Sequence, residues 1–108
     1  MANEPVVDNL LQELRRGIIV LAVLAQLNEE QYGYSILKLL ADQGLEVDQG
    51  TLYPLLRRLE DQGLLVSEWR EEDRRNKRFY RLSQEGKLIF RQLLAEWRSI
   101  NTSLDGLL

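Results

Sequence analysis

The 108-residue chain contains no cysteine and no histidine. Without thiols it has no disulfide framework and no thiol nucleophile. Without either residue it has no Cys/His zinc site and no histidine general base. No glycine-rich loop of the P-loop or dinucleotide-binding kind occurs, which excludes nucleotide binding by those routes. An enzyme would have to work with carboxylates, hydroxyls and lysines alone, so no catalytic activity, no metal and no cofactor are expected. Long hydrophobic runs are also missing. The longest uncharged apolar stretch, Gly17 to Leu27, falls far short of the roughly 20 residues that cross a bilayer. The opening residues, Met1 to Pro5, have neither the basic start nor the apolar core of a secretory signal. A cytoplasmic protein without membrane association is therefore expected.

Positive charge is scarce overall, with 14 Lys and Arg against 17 Asp and Glu and a net charge of −3. The sum conceals a segregation. Residues 57–81 hold eight of the basic residues (Arg57, Arg58, Arg70, Arg74, Arg75, Lys77, Arg78, Arg81) and six acidic ones, a local +2 that leaves −5 elsewhere. A phosphate-facing patch needs local, not global, positive charge. Hydrophobic residues make up 44% of the chain and charged residues 29%, ordinary values for one folded domain of this length.

From Asp8 to Leu27, apolar residues recur at three- and four-residue spacing, which predicts a helix; from Ile18 to Ala25 it is apolar almost all round. A surface helix needs an apolar stripe of only about 100°, so this one requires cover on two sides, from its own core and from a partner subunit. A second helix is predicted from about Tyr32 to Gln43, with Gly44 suited to the left-handed position after it. Asp48 can cap a third helix to Gln62, with Leu52, Leu55, Leu56 and Leu59 on one side. Asp-Gln-Gly occurs at 42–44, 48–50 and 61–63, marking helix ends rather than a repeat. Pro54 conflicts with a start at Asp48, because an interior proline costs about 3 kcal/mol. The preferred reading is an irregular or late-starting helix in which Thr51 is the effective cap.

Residues 64–70 and 77–82 alternate bulky and polar side chains as strands do, and the all-polar segment 71–76 reads as an exposed hairpin tip. Ser83 then caps a last helix, with Glu85 near its positive end. Phe90, Leu93, Trp97, Ile100, Leu104 and Leu107 follow at spacings of three and four, a heptad seam suited to pairing between subunits. The expected interface of a homodimer comprises Leu14, Ile18 and Leu21 with Phe90, Leu93, Trp97, Ile100 and Leu104. The fold class is mostly α with an α+β wing, a winged helix-turn-helix flanked by N- and C-terminal dimer helices. Residues 1–83 are expected to form the DNA-binding domain, with a wing at about 64–82, and residues 84–108 the C-terminal dimerisation helix.

Several segments strengthen this reading: Tyr32-Gly33-Tyr34, the run Gly50-Thr51-Leu52-Tyr53-Pro54-Leu55-Leu56-Arg57-Arg58-Leu59-Glu60, Trp69, and Phe79-Tyr80-Arg81-Leu82-Ser83 with Gly86. Together they resemble the PadR family of bacterial transcriptional regulators from about Leu14 to Trp97, and the short last helix is similar to that of the family's smaller members. The resemblance implies a homodimeric winged-helix repressor that binds operator DNA and, in some members, is released by small effectors. Asp48-Gln49 stand where family members often carry Ser-Pro, and this wing tip lacks the glycine common among relatives.

With the third helix as recognition helix, Gln49, Thr51 and Tyr53 are the residues placed to meet base edges. Arg57 and Arg58 are placed to hold phosphates, or in one case to pair with Asp61. Arg74, Arg75, Lys77 and Arg78 of the wing are expected at phosphates or the adjacent minor groove. Ser35 and Lys38 are expected to position the DNA backbone, and Tyr34 and Tyr80 to pack. A solvated helix face and a solvated turn are the competing readings. Trp97 brings two indoles near the two-fold axis, where they either pack or enclose a planar hydrophobic effector, with Phe90, Leu93 and Ile18 as further walls. Two-fold symmetry implies a roughly palindromic operator in double-stranded DNA. A winged-helix module that binds another protein, or a small-molecule sensor without DNA, remains the alternative function.

Overall fold

Asn3, Glu4 and Pro5 start the first helix four residues earlier than the leucine periodicity predicts. The Asn3 carboxamide accepts a hydrogen bond from the Val6 N–H at 3.4 Å, and Pro5 falls in the first turn, where its missing N–H has no partner to lose. A computed structural model describes residues 3–108 and gives α1 as Glu4–Gln26. Met1 and Ala2, which open the expected domain 1–83 and the segment read for a signal, lie outside the described residues. Among the described residues no helix is long and apolar enough to cross a membrane.

A two-residue strand, β1 (Gln31–Tyr32), precedes α2 (Gly33–Asp42), and it is too short to show in any alternation. Gly44 lies at φ 85° just beyond α2, as its position predicts. The next helix, α3 (Gln49–Asp61), is capped by Asp48, whose carboxylate accepts the Thr51 N–H at 2.7 Å. The late start with Thr51 as cap is thereby corrected, and Pro54 lies inside the helix. The reason is energetic. Leu52, Leu55, Leu56 and Leu59 are all buried, and burial stabilises by about 1.5–3 kcal/mol per large apolar side chain. The Asp48 carboxylate and carbonyl, which accept the Thr51 and Leu52 N–H groups, set the start, and the burial offsets the proline's cost of about 3 kcal/mol.

The hairpin strands, β2 (Leu65–Glu72) and β3 (Arg75–Leu82), pair in register from Leu65 opposite Leu82 to Glu72 opposite Arg75. With β1 they form an antiparallel sheet in the order β1-β3-β2. The six-residue tip expected at 71–76 shrinks to Asp73-Arg74, because Glu71 and Glu72 continue the ladder against Asn76 and Arg75. Asp73 and Arg74 both take positive φ, 53° and 63°, the conformation of a two-residue turn that follows the strand twist.

Ser83 caps α4 (Gln84–Leu107) by accepting the Gly86 N–H at 2.9 Å. It also donates its hydroxyl to the Gly63 carbonyl at 2.7 Å and its N–H to the Leu64 carbonyl at 2.9 Å. The core is the apolar volume enclosed by the end of α1, the inner sides of α2 and α3 and the root of the hairpin; none of the described residues buried there is polar. Phe90 differs in burial from the rest of the expected seam. It lies half-buried against this core beside Ile89, because the first turns of α4 are held on the wing root, whereas Leu93, Trp97, Ile100 and Leu104 are exposed. The described residues thus form a mostly helical winged helix-turn-helix with four helices and one small sheet.

Candidate nucleic-acid interface

The buried leucine stripe of α3 fixes which side chains point away from the core. Gln49, Thr51, Tyr53, Arg57 and Arg58 are all on the exposed side. Among the described residues neither Arg57 nor Arg58 enters an ion pair, so the pairing considered with Asp61 does not form. Both guanidiniums are therefore free to meet an external anion. Arg74, at the wing tip, and Arg75, beside it, are likewise exposed and outside any ion pair among the described residues.

The other two wing cations are engaged within the chain. Lys77 Nζ lies 3.7 Å from the Glu72 carboxylate, 4.0 Å from Asp73 and 4.5 Å from the centre of the Tyr32 ring. Arg78 donates to Glu60 Oε1 at 2.8 Å and to Ser67 Oγ at 3.0 Å, and Ser67 donates to Glu60 Oε2 at 2.6 Å. The Arg78 guanidinium also stands 5.6 Å from the Trp69 ring centre and 5.4 Å from that of Tyr80. Hydrogen bonds with both partners charged are about twice as strong as neutral ones, so this cluster fixes the hairpin against the end of α3. Arg70 pairs with Glu30 in the same manner at the other face of the sheet. Tyr80 is buried as expected, and burial pushes its phenol above the ordinary value, with the Arg78 charge opposing the shift.

On α2, Ser35 is occupied locally: its hydroxyl accepts the Tyr32 N–H at 3.0 Å and lies within donating distance of the Tyr32 carbonyl and of Gln31. Lys38 is exposed. Tyr34, expected to pack, is instead 62% exposed, stacked at 6.5 Å on Tyr32. Tyr32, Tyr34, Tyr53 and Trp69, with Arg57 and Asn76, line a groove of about 330 Å³ between α3 and the wing. Gly33 makes this groove possible, since a Cβ there would stand 2.1 Å from the Tyr53 ring. Sequence reasoning missed Tyr34 and Trp69 as parts of this surface. The signal was available in the dense aromatic spacing, but their common groove is a tertiary fact.

A second, more apolar trough of about 490 Å³ lies between α1 and α4. Leu14, Ile18, Leu21, Leu93, Trp97 and Ile100 line it, and Gly17 leaves its floor open. Of the four residues expected around a ligand, the trough brings Trp97, Leu93 and Ile18 together and leaves out Phe90. Glu13 and Glu96 at its edge were not anticipated. Leu104 extends the same exposed α4 face beyond it.

Comparison with known proteins places this arrangement. Residues 20–92 match the transcriptional regulator PadR-like family. A transcriptional regulator of Mycobacterium tuberculosis is 40% identical over 78 residues, covering 71% of this chain and 73% of its own length. The crystal structure of a PadR family transcriptional regulator from Eggerthella lenta superposes with a TM-score of 0.88 at 42% identity, over 96% of this chain and 93% of the other. A transcriptional regulator from Clostridium thermocellum gives a TM-score of 0.78 at 26% identity, over 87% and 96% of the two chains.

Proposed function

The chain belongs to the PadR-like family of transcriptional regulators, and from that premise we propose that it is a cytoplasmic homodimeric repressor of a roughly palindromic operator. The observation that carries the reading is the unpaired, outward face of α3, with Gln49, Thr51 and Tyr53 at its start and Arg57 and Arg58 about a turn beyond Tyr53. The start of α3 enters the major groove, where a glutamine side chain matches the donor and acceptor pair of adenine. Arg57, Arg58, Arg74, Arg75 and Lys38 meet phosphates. Ser35, Lys77 and Arg78 serve the same interface by holding α2 and the wing in position for it.

Residues up to Ser83 read DNA and the helix of 84–108 pairs the subunits through Leu93, Trp97, Ile100 and Leu104 against Leu14, Ile18 and Leu21. The apolar trough at Trp97 takes a planar hydrophobic effector between the paired subunits, and its occupancy lowers operator affinity. Aromatic walls suit such a ligand through stacking and area burial.

Fluorescence anisotropy with DNA from upstream of the protein's own gene, against scrambled DNA of equal length, tests the reading. The upstream DNA is expected to bind tighter, with an affinity that falls steeply with salt. Gln49→Ala is expected to reduce the preference by about 1–3 kcal/mol, whereas Arg57→Ala weakens both DNAs alike. Absence of binding even at low salt overturns the proposal.

A further inference from the structure

We infer that the cleft between α1 and α3 is a further DNA-backbone site, in which Arg16 of α1, an element outside the helix-turn-helix and the wing, joins Arg58 of α3 in binding a phosphodiester. The inference rests on the DNA-binding reading above and extends it to an element to which that reading gives only a pairing role. The cleft holds about 320 Å³. Ile19, Val20 and Leu55 form its apolar floor, and Arg16, Thr51 and Arg58 its polar rim.

Three observations converge. First, no carboxylate lines the cleft, and neither Arg16 nor Arg58 is ion-paired among the described residues. Two guanidiniums facing one trough repel each other, and a bound anion relieves that repulsion. Within the wing, by contrast, Lys77 and Arg78 are already matched by Glu72, Asp73 and Glu60, which leaves Arg74 and Arg75 near the tip as its unpaired cations among the described residues. Free positive charge thus extends to α1, beyond the segment 57–81 in which the sequence concentrates it. Second, Thr51 and Arg58 belong to α3 itself, so an anion in the cleft lies along the flank of the helix that enters the major groove. One wall of that groove is a sugar–phosphate strand, and on the opposite flank Tyr53 and Arg57 face the wing. Third, Arg16 shares one side of α1 with Ile19 and Val20, at i, i+3 and i+4. Those two residues pack on the core, which anchors the arginine's helix face over the cleft while its own side chain stays exposed.

The test compares the salt dependence of upstream-DNA binding for wild type, Arg16→Gln, Arg16→Lys and Arg15→Gln, with subunit mass and thermal stability measured for each. Arg15 is exposed but does not line the cleft. Arg16→Gln is expected to weaken binding about tenfold at low salt and to flatten the log–log salt slope by about 0.9 for each phosphate that is no longer neutralised. Arg16→Lys is expected to retain the wild-type slope, and Arg15→Gln to leave slope and affinity unchanged. A wild-type slope in Arg16→Gln overturns the site, even if affinity falls. An equal loss from Arg15→Gln overturns it too, because it reports diffuse charge rather than a cleft. If the wild type binds no DNA at any salt, the DNA-binding reading falls and the site falls with it.

Discussion

Gly86 illustrates how one hydrogen atom in place of a side chain can decide a junction. A Cβ at this position would stand 2.0 Å from the Leu64 carbonyl oxygen and 3.0 Å from its carbon. The obstacle is backbone, so no rotamer change can relieve it. Gly86→Ala is expected to destabilise the fold by about 2 kcal/mol or more, the upper part of the range for overpacking. In a domain of this size that lowers the melting temperature by roughly 8 °C or more, which calorimetry reads directly. Local chemistry of this scale was partly legible in the sequence. Asp48 and Ser83 cap the helices that follow them, as their residue types foretell. The need for glycine at 86 was carried only by the family resemblance, because the clash is with a residue 22 positions away.

At the scale of single elements the wing is the most revealing. Its strands were legible from bulky and polar alternation, but their length was not. Charged residues at 71, 72 and 75 read as loop, yet a solvent-facing ladder tolerates them, and the strands run on until only Asp73 and Arg74 remain. An arginine in the left-handed region costs about 1–2 kcal/mol, a cost glycine does not carry. Arg74→Gly is therefore expected to stabilise the hairpin by about 1 kcal/mol while weakening DNA binding through the removed charge. Chemical denaturation and anisotropy on the same variant separate the two effects. A variant that is less stable than wild type contradicts the turn geometry. The two-residue β1 escaped sequence reading altogether, since its existence depends on Phe79 and Tyr80 of β3 arriving beside it.

Across the whole molecule, the apolar surface is divided between a core and an uncovered face. Val6, Leu10, Leu11 and Leu14 of α1 and Leu93, Trp97, Ile100 and Leu104 of α4 are all exposed. Contiguous patches of this kind mark association surfaces. Ile100→Glu is expected to convert a species of two-chain mass into one of single-chain mass in sedimentation, and to reduce operator affinity sharply because two half-sites are no longer linked. Wild-type protein that sediments as a single chain at about 10 μM contradicts the pairing. The sequence made the seam visible through its three-and-four spacing, but periodicity does not distinguish core from partner. Phe90 satisfies the same spacing yet is half-buried against the chain's own core, beside the first turns of α4.

The bonding around Ser83 has a mechanical consequence. Its hydrogen bonds cap α4 at Gly86 and join the start of that helix to Gly63 and Leu64, and the Leu82 N–H donates to the Leu27 carbonyl beside them. These bonds tie the start of α4 directly to the end of α3 and the root of the wing. Helix α4 behaves as a rod about 36 Å long, from its 24 residues at a rise of about 1.5 Å each. A tilt of about 6° at its held end displaces the far end of such a rod by about 4 Å over that length. Under the pairing proposed above, an adjustment of the subunits along α4 would reach the recognition helix as a change in reach, so that α4 would act as a lever on the spacing of the two DNA-reading units.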